Sequence, residues 1–347
     1  MKKSVTKLLA VTAVLVTAAC CTVGAAQPEE SVAETETASA AAVEIGTADE
    51  LLAFAQSVTD GSAGGYAGQT IVLTDDIDCS ELVWQPIGTM DLNDMSNYSC
   101  MFFGTFDGQG HTISGLSLEG DSSHMGLFRY VQEGGTVKDL TVTGNLNPSG
   151  GMSEIGAIVG TNLGTVSGCS FSGTVNGSYN VGGIAGTNEP TGMIYNCKTE
   201  GYASGDHYVG GIVGQNLGTI SYCSNTAGVN LSTEENVATA ADVDIEALTD
   251  EEGEVHTATD VGGIAGYGQT ITDCASLIEV SAVQVCTGAI AGWADMAEED
   301  AVDRNIYVHD SLGAVDGISY AEKAAPVSYE ELIAREEIPE EIGRAHV

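Results

Sequence analysis

What this sequence has least of is positive charge. Against 49 Asp and Glu it sets 10 Lys and Arg, for a formal charge of −39. That scarcity excludes nucleic acid as a partner, because contact with phosphates needs Lys and Arg to displace counterions. It equally argues against adsorption on an anionic membrane surface, while high solubility and calcium-rich surroundings both suit it. Aromatic residues make up 6% of the chain, too few for a large globular core built on rings. No CxxC pair is present, which argues against a zinc site. HExxH, GxSxG and P-loop patterns are absent as well. Beyond the first 26 residues no apolar run is long enough to span a bilayer, so no transmembrane segment is expected apart from the leader.

What is present is one phrase, repeated. It reads IGAIVGTNLGTVSGC from Ile155, VGGIAGTNEPTGMIYNC from Val181, VGGIVGQNLGTISYC from Val209 and VGGIAGYGQTITDC from Val261, with a worn copy, TGAIAGW, from Thr287. The steps between starts are 26, 28, 52 and 26 residues, and 52 is twice 26. A fixed period of this size marks a solenoid, in which each unit buries its apolar face only by stacking on the next. A coil of about 26 residues fits three short strands and three turns, rising about 4.8 Å per coil. The hydrophobic share, 43%, comes mainly from small and β-branched residues, which suit strands in tight coils. The recurring glycines, such as Gly182, Gly183 and Gly186, mark places where a Cβ is excluded by positive φ or by contact.

Taken in order, residues 1–26 read as a signal peptide: Lys2, Lys3 and Lys7 precede LLAVTAVLVTAA, and cleavage near Ala25 or Ala26 is expected. Cys20 and Cys21 offer a second reading, a lipid anchor at Cys20, although Thr17 stands where a lipobox carries a larger aliphatic. Residues 27–42 read as a disordered linker. Residues 43–124 form an N-terminal cap and the first coils. Here Thr47 is an N-cap, Asp49 and Glu50 fill the first turn, and Leu51, Leu52, Phe54 and Ala55 fall at helical spacing, giving a short helix over the open end of the stack. Residues 125–300 hold the repeat, interrupted by an acidic segment, 232–260, with ten carboxylates and no Lys or Arg. It is either a degenerate coil or a loop leaving the stack; the loop is favoured because Val229 completes one unit and Val261 starts the next. Residues 301–347 are fragmentary, with a charged helix expected over Val327 to Glu341. The last six, IGRAHV, match a translation of ATC GGA AGA GCA CAC GTC, the start of a common sequencing adapter, so they are expected to be foreign to the fold.

The phrase VGGIVGQNLGTISYC resembles the GLUG motif of bacterial surface proteins, including large adhesin-like proteins and the non-catalytic part of some immunoglobulin A peptidases. The stretches TADELLAFA, WQPIG and GTFDGQGHTISGL are similar to the region that precedes such repeats in anaerobic gut Gram-positive bacteria. The resemblance covers about residues 43 to 300. It implies an all-β protein, a single-stranded right-handed parallel β-helix at the cell surface; the period alone does not set the hand.

Removing the leader leaves Cys79, Cys100, Cys169, Cys197, Cys223, Cys274 and Cys286, an odd set and a poor disulfide framework. Four of them, Cys169, Cys197, Cys223 and Cys274, share one slot of the repeat and are read as a buried column; Cys79 with Cys100 is the best candidate for a disulfide. Asp75, Asp76 and Asp78, with Asp91, Asn93 and Asp94, hold oxygens that calcium could use, but the spacing is not that of a calcium loop and turn carboxylates are the expected reading. His111 and His207 are read as turn residues. No catalytic, metal-ligating or cofactor-binding residue is therefore assigned, and no cofactor is expected. The expected function is an exported, extracellular cell-surface stalk or adhesin-like module without catalysis of its own, its ligand a host glycoprotein, a polysaccharide or a neighbouring cell. The alternatives are a carbohydrate-active β-helix enzyme, lyase or hydrolase, or the non-catalytic scaffold of a larger surface peptidase.

Overall fold

The computed structural model describes residues 42–90, 98–118, 122–148, 152–229, 260–280, 286–294, 301–320, 323–328 and 331. Among these the chain winds as a parallel β-solenoid. One column displays the stacking: Val43, Ile71, Phe106, Val137, Val166, Ile194, Ile220, Ile271 and Val302 follow one another in register on nine coils. All but Val43 are fully buried. At about 4.8 Å per coil, eight steps make a rod of roughly 38 Å.

A regular coil holds four short strands rather than the three expected. In the coil that starts at Tyr179 they are Tyr179–Gly182, Ala185–Asn188, Met193–Tyr195 and Lys198–Ser204. The extra corner is built by the phrase VGGIAG. Val181 and Ile184 point inward and are wholly buried. A Cβ on Gly182 would lie 2.3 Å from the Ala185 carbonyl oxygen, one on Gly183 2.5 Å from the Gly211 oxygen, and one on Gly186 2.3 Å from the Glu154 carbonyl carbon. All three sit outside the positive-φ region, so close backbone approach, not dihedral freedom, demands glycine here. Between the glycines the aliphatic amides climb the stack. Ile158 donates to the carbonyl of Ile184 at 3.1 Å, Ile184 to Ile212 at 2.9 Å, Ile212 to Ile264 at 2.9 Å and Ile264 to Ile290 at 2.9 Å.

That ladder also resolves the 52-residue step. Ile212 bonds directly to Ile264, and Val209 pairs with Val261, so the coil that begins at Val261 sits on the coil that begins at Val209 with none between. The step is one coil plus an excursion. The acidic residues of 230–259 lie outside the described residues, as do 1–41, where the leader and linker were read, and 332–347.

A second corner, before the fourth strand, does require positive φ. Asp139, Gly168, Asn196, Tyr222, Asp273 and Arg304 occupy it on successive coils at φ of 50°, 60°, 52°, 54°, 55° and 52°. Gly, Asn and Asp tolerate this conformation, whereas a ring-bearing Tyr costs roughly 1 kcal/mol there. The next residue turns inward, giving the column Leu140, Cys169, Cys197, Cys223, Cys274 and Asn305, each at most 1% exposed. Its thiols are free. Burial pushes those of Cys197 and Cys223 well up, and hydrogen bonding to Cys197 together with burial does so for Cys169. Cys79 and Cys100, the best candidates for a disulfide, are free thiols too.

One interior column is polar. Asn162, Asn188 and Asn216 are fully buried, with Asn162 Nδ2 donating to Asn188 Oδ1 at 2.8 Å and Asn188 Nδ2 to Asn216 Oδ1 at 2.7 Å. Each amide also donates to the loop that follows it, at the carbonyls of Gly164, Gly192 and Gly218. A buried amide left unpaired would cost about 1–3 kcal/mol, and stacking identical residues removes that cost.

The N-terminal end is closed as the sequence suggests. Helix Ala48–Thr59 is capped by Thr47, whose Oγ1 accepts from Glu50 N while Glu50 Oε2 accepts from Gly46 N at 2.9 Å. Leu51, Phe54, Ala55 and Val58 face the core; Leu52, expected there, faces solvent because Val58 completes the stripe instead. Phe54 meets Phe102 and Phe106, and both meet Phe128, at ring separations of 4.9–5.9 Å. At the other end the stack continues after the phrase has faded: Val302–Asp303 lies on Ile271 and Thr272, and Ala324–Val327 on Asn305–Val308. Val327, read as the start of a helix, is thus a strand residue. Ser328 and Glu331 hydrogen-bond reciprocally, as in a helix cap; most of the expected helix lies outside the described residues.

Gly211 tests this geometry. A Cβ there would meet the Asn225 amide at 2.1 Å and the Gly263 oxygen at 2.4 Å. Gly211→Val is expected to cost about 3 kcal/mol or more, read as a drop in the urea midpoint.

Candidate functional site

The chemistry-bearing side chains gather along one seam, beside the corner that VGG makes. The residue just before the first inward position takes positive φ: His124 at 57°, Glu154 at 57°, Asn180 at 55°, Tyr208 at 53° and Cys286 at 57°. Asp260 fills the slot between Tyr208 and Cys286, one residue before Val261. Facing this column runs a second, on the second strand of each coil: Tyr130, Thr161, Thr187, Gln215, Tyr267 and Trp293, in register. The two are drawn together by the glycine of the phrase. A Cβ on Gly160, Gly186, Gly214 or Gly266 would come within 2.3 Å of the backbone of His124, Glu154, Asn180 or Tyr208 respectively.

Across the seam the columns bond to each other. His124 Nδ1 meets Thr161 Oγ1 at 2.7 Å, and its ring lies 4.9 Å from that of Tyr130. Asn180 Nδ2 donates to Thr187 Oγ1 at 3.0 Å and to Gln215 Oε1 at 3.4 Å. Tyr208 and Tyr267 meet edge to face at 6.3 Å. Burial lowers the His124 pKa, with the nearby Arg129 charge adding to it, and burial with the charge of Glu189 raises that of Glu154. Arg129 Nη1 donates to the Ser123 carbonyl at 2.6 Å, while its buried Nε has no partner.

The most perturbed acid is Asp260, 7% exposed. Burial pushes its carboxyl up to about 6; the thiol of Cys286 works against that shift and the charge of Asp316 adds to it. The same surroundings push the Cys286 thiol up to about 12, which makes it a poor nucleophile. Glu154 and Asp260 are three coils apart in one column, about 14 Å. Pairs of glycosidase carboxyls work at roughly 5–9.5 Å, so these two do not form one.

The residues singled out in the sequence lie elsewhere; His207, read as a turn residue, opens the strand His207–Gly210 instead. Asp76 Oδ1 accepts from Thr112 N at 2.9 Å and meets His111 Nδ1 at 3.2 Å; these bonds hold its carboxyl below the usual range. Asp78 Oδ1 accepts from Ser80 N at 2.9 Å, closing its own turn. Asp91, Asn93 and Asp94 fall outside the described residues. Lys138 is paired with Asp107 at 2.6 Å and Asp139 at 3.3 Å. His207 stacks on Tyr179 at 4.9 Å, with ring planes 15° apart. Among the described residues no group of three His, Cys, Asp or Glu is placed to hold a metal ion. The seam itself escaped the sequence reading because its slot holds a different residue on every coil; its one regular signal is position, immediately before the phrase.

Asp260 gives the seam a pH signature. Its folded pKa lies above the unfolded value, so its contribution to stability is complete below about pH 4 and is lost as pH rises through about 6, a change of roughly 3 kcal/mol at most. Asp260→Asn removes the titration. In thermal melts the variant is expected to gain on the parent between pH 4 and pH 7.

Comparison with known proteins follows the same lines. A family model described as the GLUG motif matches residues 205–230. Halomucin of Haloquadratum walsbyi is 34% identical over 127 residues, covering 34% of this chain and 1% of that protein. A provisionally named Gly-rich membrane protein of Evansella cellulosilytica is 33% identical over 100 residues, 28% of this chain and 11% of that one. The chain thus spans only a small part of either relative. A solved structure from Bacteroides ovatus, provisionally named an immunoglobulin A1 protease, superposes with a TM-score of 0.52 at 17% identity, over 84% of this chain and 85% of that one, a likeness of fold. No helix among the described residues is long and apolar enough to cross a membrane. This chain is a parallel β-solenoid in which residues 205–230 match the GLUG motif.

Proposed function

We propose that the protein is an exported scaffold of the cell surface, a stalk or adhesin-like module that holds other groups away from the cell and performs no catalysis of its own. The observation that carries this reading is the unbroken amide ladder from Ile158 through Ile290 to Ala314, which makes the coils one rigid rod. Two further features support it. Asp78 and Asp107 each close a turn, Asp76 ties to the Thr112 amide 36 residues on, and the polar residues of the seam bond mainly to one another. A charge of −39 keeps such a rod soluble and apart from its copies. The names of the relatives, a mucin and a membrane protein, accord with a place at the cell boundary.

A carbohydrate-active reading has one observation in its favour: Asp260 holds its proton to about pH 6 beside the charge of Asp316, as a general acid would. The two readings separate on a panel of plant, microbial and mucin polysaccharides incubated with the full chain. No new reducing ends and no unsaturated uronate absorbance are expected. Product that forms with the parent and disappears with Asp260→Asn would overturn the scaffold reading.

A further inference from the structure

The third strand of each coil flanks its inward residue with two others. Thr105, Thr136, Thr165, Thr219 and Thr270 share one column, and the other is mixed, with Asp107, Lys138, Ser167, Ser221, Thr272 and Asp303. On the coil of Tyr179 the same two positions hold Met193 and Tyr195, 49% and 40% exposed. On the following coil the next position along holds Tyr222, 65% exposed. Three large apolar side chains therefore stand together on a flat face that is otherwise polar.

Tyr222 sits in a slot of positive φ, which Gly168, Asn196 and Asp273 accept readily and which Tyr222, like Arg304 further along the column, does not, and its ring recovers little by burial. An exposed aromatic side chain kept on a strained backbone is one whose use lies outside the fold. The exposed area of the three residues is on the order of 300 Å², well below the ~800 Å² per partner that a stable protein interface needs. It is a suitable size for one or two sugar rings.

We propose that Met193, Tyr195 and Tyr222 form a binding platform for a neutral glycan. The ring faces take the apolar C–H face of a pyranose. The hydroxyls of Thr165 and Thr219 beside Met193, and of Ser221 beside Tyr195, supply donors and acceptors at the spacing of the coils, about 4.8 Å, whereas Ser167 is buried. On the next coil Asp273 holds Arg304 through two 2.7 Å bonds, so that pair is already neutralised. Acidic glycans are disfavoured, because the coil from 181 to 206 has Lys198 as its one basic residue other than histidine and the chain carries −39 overall. The proposal rests on the scaffold reading and gives that scaffold its ligand class.

The test is calorimetric titration of the full chain with neutral oligosaccharides, cello-, xylo-, manno- and chito-hexaose and a neutral mucin-type core glycan, against oligogalacturonate. Saturable binding of at least one neutral sugar, and none of the acidic one, is expected. The double variant Tyr195→Ser, Tyr222→Asn should lose at least tenfold in affinity, while Tyr222→Asn alone should melt about 2 °C higher than the parent, since Asn accepts the slot. Absence of any neutral binder, or binding undiminished in the double variant, overturns the proposal. So does concentration-dependent dimerisation that the double variant abolishes, which would make the face a contact between copies. Turnover of a bound sugar would overturn the scaffold reading and leave the platform standing; a parent chain that neither binds nor turns over any neutral sugar would overturn the platform and leave the scaffold reading standing.

Discussion

The bond from the amide of one inward isoleucine to the carbonyl of its counterpart a coil later is the interaction on which everything else depends. It fixes the rise at one strand spacing and brings chemically equivalent positions into contact. Once equivalence is fixed, each slot along the rod becomes a column with a single environment. An inward aliphatic slot stays aliphatic, an asparagine slot satisfies its amides with the next asparagine and with loop carbonyls, and a thiol slot collects thiols that burial keeps protonated. The glycines are a condition for the ladder rather than an addition to it, since a Cβ at Gly186 or Gly211 would force adjacent coils apart.

The same logic separates the parts of the surface that serve the stack from those that do not. Seam residues such as Asn180 and His124 lie against their neighbours and bond to them, tying corner to strand. The acidic residues at the first coils close turns. Met193, Tyr195 and Tyr222 depart from that economy: Met193 interrupts a column of threonines, Tyr195 stands between Ser167 and Ser221, Tyr222 holds an unfavourable backbone conformation, and all three are exposed. In a repeat protein a departure that costs stability carries more functional information than the repeat.

Much of the fold was legible because the phrase encodes contacts that recur without change. Its period, its inward Ile and Val, the Cys slot and the Thr47 cap could all be read in the chain. The fourth strand could not, because two strands meeting at a corner of glycines leave the same alternation as one longer bent strand. Leu52 and Val58 were indistinguishable by spacing until the core was placed on one side. The coils after Trp293 continue without the phrase, held by the same backbone ladder, as in the bonds from Ala289 to Gly313 and from Ile290 to Ala314. The seam was hidden because it is made from residues of different coils, far apart in sequence, with no common residue type, and Tyr222 could be set beside Met193 and Tyr195 only once the register of the coils was known.

The central claim is that coils are stacked by slot, so that the coil at Val261 follows the coil at Val209 directly. In the preceding coil, Ala203 and Tyr208 are joined by Ser204 to His207, and the equivalent positions, Val229 and Asp260, are joined by residues 230–259. Replacing residues 230–259 by Ser-Gly-Asp-His and following urea unfolding therefore tests the register itself. Direct stacking predicts one cooperative transition, with stability equal to the parent or greater by about 1–2 kcal/mol from the shorter closure. Two separate transitions, or a chain that no longer folds, would contradict it.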